Sequence, residues 1–142
     1  MTKTRSVSIA SLLAVLSILA AGCGTSSPAG LNDAQVLSVT GHLLTAINTG
    51  NYSAFTRDFS AEMFAAFPED QFLQLRGLLY TASGNYVSCG EMSLSNQDDF
   101  AVYRIRCAYE LEDVVVTIVF RIGGTQVEGL FFDSPNLRAA SK

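Results

Sequence analysis

Residues 100–132 read FAVYRIRCAYELEDVVVTIVFRIGGTQVEGLFF, and this stretch decides the fold. Apolar and polar side chains alternate with a period of two, the spacing of half-buried strands rather than of a helix. Gly123-Gly124 reads as a two-residue hairpin loop, because glycine accepts the positive φ such loops need. Leu111-Glu112 and Asn96-Gln97-Asp98-Asp99 read as the two earlier turns. The expected strands are 86–95, 100–109, 113–122 and 125–132. The Gly-Gly loop sets Ile122 opposite Thr125, Phe120 opposite Val127 and Ile118 opposite Gly129. Placing Tyr109 opposite Val114 sets Cys107 against Val116, Ile105 against Ile118 and Tyr103 against Phe120. One face then carries Tyr103, Ile105, Cys107, Val114, Val116, Ile118, Phe120, Val127 and Phe131, and is the core face. The other carries Arg104, Arg106, Val115, Thr117, Val119, Arg121, Gln126 and Glu128, with Leu130 and Phe132 on the same outer parity.

Upstream of this stretch the apolar period is helical. Asn32 or Asp33 caps a first helix with Val36, Val39 or Thr40, Leu43, Leu44 and Ile47 on one face, and Gly50 between Asn48 and Asn51 stops it. A short helix is expected over Tyr52–Phe59, and a third turn is capped by Ser60. Pro68-Glu69-Asp70 opens a longer helix that presents Phe72, Leu73, Leu75 or Arg76, Leu79 and Tyr80 and closes at Gly84-Asn85. Helices first and a strand meander second give an α+β fold, with the helices covering the apolar face of a four-stranded antiparallel sheet.

The first 22 residues have the pattern of a targeting segment. Lys3 and Arg5 give a positive start, and the apolar run over residues 11–21 is shorter than the roughly 20 residues that span a bilayer. Small residues lead into a cysteine, Leu19-Ala20-Ala21-Gly22-Cys23, and this resembles the lipobox of bacterial lipoproteins. The resemblance implies diacylglycerol on the Cys23 thiol and cleavage before it. One departure is that Ala20 stands where that motif usually has Leu, with Leu19 one place further out. The expected mature chain is 120 residues with 7 basic and 13 acidic side chains, held at a membrane outside the cytoplasm by acyl chains that each gain roughly 0.8 kcal/mol per buried methylene. Residues 23–31 are expected as a flexible tether, 32–134 as the domain and 135–142 as a tail.

Composition excludes several functions. The net charge of −4 and pI near 4.8 leave no basic face for nucleic acid. One histidine, His42, rules out a multi-His metal site, and no cofactor is called for. There is no Gly-x-Ser-x-Gly. Beyond Cys23, Cys89 and Cys107 lie symmetrically about residue 98 in the first hairpin, which places them opposite each other on neighbouring strands. In an oxidising compartment they form a disulfide.

The series Gly50-Asn51-Tyr52-Ser53-Ala54-Phe55, then Phe59-Ser60-Ala61-Glu62-Met63, a longer helix, and a meander ending Val127-Glu128-Gly129-Leu130-Phe131-Phe132 resembles the small exported domains of unknown function in the nuclear-transport-factor-2-like, or cystatin-like, superfamily. The resemblance covers residues 32–133. It implies a curved sheet wrapped round helices as a cone with an apolar mouth, in a superfamily that includes isomerases, dehydratases and non-catalytic binding or dimerisation domains.

Three functions fit these residues. The leading one is a non-catalytic domain, tethered to the membrane, that binds a small apolar ligand or an envelope protein. Its pocket residues would be Phe55, Phe59, Tyr80, Tyr103, Phe120 and Glu91. The second is an isomerase- or dehydratase-like enzyme. For that, Glu91, which shares the strand parity of Cys89, would have to point inward as a base, with Tyr103 facing it. A bulge at Gly90 would instead turn Glu91 outward. His42, on a helix with no evident partner, is read as structural. The third is a homodimer packed through Val115, Val119, Leu130 and Phe132. Arg104, Val119 and Glu128 side by side would make a solvated charge pair worth less than about 1 kcal/mol.

Overall fold

The computed structural model describes residues 28–142; the targeting segment and Cys23 lie outside the described residues. Helix α1 (Asp33–Thr49) starts at a reciprocal cap. Asn32 Oδ1 accepts from the Gln35 N–H and Gln35 Oε1 accepts from the Asn32 N–H, both at 2.9 Å. This satisfies two of the N–H groups that a helix start leaves without partners. It ends where Gly50 takes φ 70°. Helices α2 (Tyr52–Phe55), α3 (Ala61–Ala66) and α4 (Glu69–Ser83) follow, then strands β1 (Tyr86–Gln97), β2 (Phe100–Tyr109), β3 (Asp113–Arg121) and β4 (Val127–Asp133), and a last helix α5 (Pro135–Ala140). The sheet is an antiparallel meander in the order β1-β2-β3-β4. The α+β architecture is therefore as the periodicity predicts.

The core lies between α1 and the sheet. Val36, Leu43, Leu44 and Ile47 meet Tyr103, Ile105, Val114, Val116, Ile118, Phe120 and Val127, all buried. An aromatic group closes one side of it: Phe55 packs on Phe72, Phe59 and Phe67 with ring centroids 4.8, 5.0 and 5.5 Å apart. The second helix is shorter than expected because the chain leaves it to pair with the sheet. The Val127 N–H donates to Asp58 O and the Ser60 N–H donates to Val127 O, so Phe59 forms a parallel bridge with Val127.

The strand registers differ from expectation at each turn, and each difference has a local cause. Asp98-Asp99 alone turns the first hairpin, Gln97 facing Phe100, with Asp98 in the left-handed region at φ 52°. Asp tolerates this conformation better than most residues. The second turn is Glu110-Leu111: the Tyr109 N–H donates to Glu112 O, and Cys107 faces Val114, not Val116. That slide of two residues keeps every side chain on its expected face, because side chains alternate with period two. The Gly123-Gly124 loop is wider than two residues. A turn over 121–124 is closed by the Gly124 N–H on Arg121 O, with Gly123 at φ 76°.

Phe120 does face Val127, but Glu128 is then an extra residue. Val119 faces Gly129 and Ile118 faces Leu130, so the bulge exchanges the two faces for the rest of β4. Leu130 and Phe132, assigned to the outer face, turn inward against the core, and Phe131, assigned to the core, is 64% exposed.

Both expected termini of the domain carry structure. The Gly123 N–H donates to Pro28 O and the Gly30 N–H to Gly124 O, each at 2.7 Å, and Ala29 bridges Ile122 and is buried. Residues 28–30 thus pair with the β3–β4 turn and are part of the folded body. At the other end α5 is capped by Ser134 and buries Leu137.

Candidate functional site

The expected pocket residues divide three ways. Phe55, Phe59, Tyr103 and Phe120 are buried and fill the space between helices and sheet. Tyr103 and Phe120 meet edge to face at 5.9 Å. Tyr80 is 64% exposed on α4. Glu91 is outside altogether. The register shifts between Cys89 and Met92, so Met92 takes the core-facing place opposite Ile105. The Glu91 carboxylate is 85% exposed, 3.9 Å from Arg106 across an open hollow lined by Ser93, Arg104 and Val115. The bulge at Gly90 has a plain cause: one residue too many on β1 for the places on β2. His42 lies on the exposed side of α1 with Nδ1 3.2 Å from Arg57 Nη2. Cys89 and Cys107 face each other across the ladder and are joined by a disulfide. Arg104 and Glu128 are not paired as expected: the bulge carries Glu128 to Arg121, at 3.6 Å, and Arg104 lies near Ser95.

The apolar hollow that the protein does present lies elsewhere. A groove of about 240 Å³ runs between α4, β4 and α5. Leu75, Leu78 and Leu79 wall it on one side, Leu130 and Phe132 on the other, and Leu137 closes its end. The helix builds its wall by carrying more leucine than one buried face requires: only Phe72, Leu79 and Ser83 of α4 are fully buried. The bulge builds the opposite wall by turning Leu130 and Phe132 inward. Sequence reading missed this wall because it assumed unbroken alternation. The signal that was there is the surplus of apolar residues in Phe72-Leu73-Gln74-Leu75 and Leu78-Leu79-Tyr80.

One carboxylate holds the end of the groove together. Glu112, in the β2–β3 turn, accepts from Ser83 Oγ at 2.7 Å, from Ser134 Oγ at 2.6 Å and from the Asn136 N–H at 3.2 Å. It so ties the end of α4 and the start of α5 to the sheet. Partial burial pushes its pKa up, but the hydrogen bonds from Ser134, Ser83 and Asn136 and the charge of Arg138 outweigh this and hold it below the ordinary value. A smaller cleft between the end of α1 and α4 is lined by Ile47, Asn48, Arg76 and Tyr109. Arg76 there donates to Ile47 O at 3.0 Å and Asn48 O at 3.3 Å, which satisfies carbonyls at the helix end. The Tyr109 hydroxyl is buried without a partner among the described residues, and burial first, then the neighbouring Tyr86, raises its pKa well above the tyrosine range.

Helices on one face of an antiparallel meander, with an apolar groove left open at the last strand, define a small α+β domain with a surface recess. The chain matches the family described as Protein of unknown function (DUF3887) over residues 42–130, and it belongs to that family. The match runs from within α1 to within β4 and so covers the core of the domain. No curated protein and no solved structure matches it.

Proposed function

We propose that this protein is a lipid-anchored domain outside the cytoplasm that binds a small apolar ligand in the groove between α4, β4 and α5, without catalysing its conversion. The observation that carries the reading is the groove itself: three elements line an open hollow with leucine and phenylalanine while the interior is filled. Exposed apolar surface of this kind costs solubility unless something covers it. Binding rather than chemistry is supported by the surface positions of Glu91 and His42, the two groups best suited to acid–base work. The anchor is supported by the charged start, the short apolar run and the Leu19–Cys23 series. An amphiphile with an alkyl chain suits the groove, because leucine and phenylalanine line it throughout except at Ser141.

A dansyl-labelled fatty acid titrated into the mature protein tests the ligand site. Saturable binding is expected, and Leu78→Asp should abolish it because Leu78 lines the groove, whereas Leu73→Asp, on the exposed side of α4, should not. Absence of saturable binding, or equal binding by the two variants, overturns the reading.

A further inference from the structure

We infer that the free edge of β4 takes an extended peptide of a partner protein as a further strand, with alternate apolar side chains of that peptide entering the groove. The inference rests on the groove being a binding site, as proposed above, but not on its alkyl ligand; peptide and alkyl chain would exclude one another there.

Among the described residues β4 ends the sheet order, so one of its sides faces no strand of the sheet. Residues of an antiparallel pair alternate between turning N–H and C=O to the partner and turning them away. Val127 turns both away from β3: its N–H donates to Asp58 O at 2.8 Å and its C=O accepts from the Ser60 N–H at 2.9 Å. Phe120 opposite it therefore turns its own groups to β2, as does Ile122, of the same parity, whose N–H donates to Asp99 O at 2.8 Å. Ile118 and Val116 share that parity. Leu130 and Phe132, opposite them, thus also direct N–H and C=O to the free edge. Among the described residues Val127 alone has this side of β4 paired.

The chain itself shows what the edge accepts. Residues 58–60 lie along it as one step of parallel strand, and the chain then leaves at Ser60 to form α3. The stretch beyond, Leu130-Phe131-Phe132, has neither charge nor proline, the usual protections of an exposed edge. The groove opens at the same place. Leu130 and Phe132 line it from the helix side of the strand and Phe131 from the opposite side, so the hollow wraps the strand's edge. Peptide residues laid opposite Leu130 and Phe132 stand two places apart. Both then turn their side chains to the helix side, towards Leu75, Leu78 and Leu137. Main-chain bonds supply affinity in such an addition and the alternate side chains supply selectivity. An alkyl chain fills the hollow without pairing these main-chain groups.

The probe is the fluorescein-labelled peptide Lys-Thr-Leu-Thr-Val-Thr-Lys, titrated into the mature protein and followed by fluorescence anisotropy. Saturable binding is expected. It should weaken by about tenfold or more in Leu78→Asp, and likewise for Lys-Thr-Leu-Val-Thr-Thr-Lys, because only alternate residues share a face. Two further peptides carry backbone N-methyl groups, one on Leu and Val, the other on the Thr residues. One of the two should lose binding and the other keep it, since only every second N–H reaches the edge. No saturable binding, undiminished binding to Leu78→Asp or of the reordered peptide, or loss by both or neither of the methylated peptides overturns the proposal. Dansyl fatty acid that binds while the peptide does not refutes the added strand and leaves the alkyl ligand standing; the opposite result does the reverse. A second copy on this edge would sediment as a dimer that Leu130→Pro dissociates and the peptide does not, and that too overturns the proposal.

Discussion

Opening the Cys89–Cys107 bridge is expected to cost about 3 kcal/mol of stability. The cross-link spans 18 positions. Removing the loop-closure entropy of a segment that long from the unfolded chain stabilises the fold by about 3 kcal/mol near 25 °C in the chain-entropy model. The site amplifies the effect. Among the described residues β1 is an edge strand paired with β2 alone, and its ladder breaks between Cys89 and Met92, so the bridge secures the half of β1 that holds Tyr86 and Ser88. Urea unfolding followed by far-ultraviolet circular dichroism, with and without reductant, measures the difference. The midpoint should fall on reduction, and the slope should rise slightly because the released chain exposes more surface when unfolded. Cys89→Ala/Cys107→Ala should show a similar loss and no further response to reductant. Indistinguishable stabilities of the oxidised and reduced protein would refute the loop-closure reasoning. Two reactive thiols from this pair in unfolded, unreduced protein would refute the bridge.

The Glu112 tie makes the C-terminal helix acid-labile. A carboxylate whose folded pKa is depressed contributes stability above its unfolded value and loses it as pH falls through the lower folded value, so the protection of α5 amides, measured as hydrogen exchange relative to the intrinsic rate at each pH, should fall in acid below the ordinary carboxylate range. Glu112→Gln should show fast exchange at neutral pH, a loss on the order of 1 kcal/mol, and little further change on acidification. Tyr109→Phe should stabilise the protein by about 1 kcal/mol, because it removes a buried hydroxyl that has no partner. It should also blunt the alkaline loss of stability that sets in above the ordinary tyrosine range, where the unfolded chain gives up a proton that the buried Tyr109 retains. Thermal unfolding between neutral and alkaline pH reads both effects, and a destabilised Tyr109→Phe would show that the hydroxyl has a partner after all.

Most of the architecture was legible in the order of periods. The switch from helical to alternating spacing near Asn85 and the Asn32 and Gly50 caps follow from local chemistry. The opposition of Cys89 with Cys107, read from symmetry about residue 98, holds because two offsets cancel: the hairpin is centred half a residue later, between Asp98 and Asp99, and the extra residue between Cys89 and Met92 restores the pairing. The core faces of β2 and β3 survived a turn read two residues out of place, because an even slide leaves parity intact. Odd shifts are where reading failed or divided. Glycine beside a carboxylate marks two of the three, at Gly90-Glu91 and at Glu128-Gly129, yet only the first was recognised as a possible bulge; the third, between Tyr86 and Ser88, carries no such mark. The groove was missed for the same reason, since its β4 wall exists only after the second bulge. The packing of residues 28–30 on a turn more than ninety positions away is a tertiary contact with no local signal. Composition there reads as linker, and the close approach at Gly30 is what such small residues permit.

The extra residue in β4 also sets how this chain tolerates change in length. Deleting Glu128 would let β4 continue its ladder without interruption from Val127, and every later side chain would keep its side, because Gly129 already stands opposite Val119 and Leu130 opposite Ile118. The groove would keep its wall, and the chain would lose only the bulge and the ion pair of Glu128 with Arg121. Closing the ladder over a retained Glu128 is the damaging change: Glu128 would face Val119, Phe131 would turn to the core, and Leu130 and Phe132 would join Val119 on the outer face of an edge strand as a template for strand-to-strand aggregation. The pairing of Gly129 with Val119, which the bulge permits, and not the number of residues in the strand, keeps the recess. Gly129, bare beneath the ring of Phe131 and beside Val119, marks the place where the reading frame of the two faces is kept.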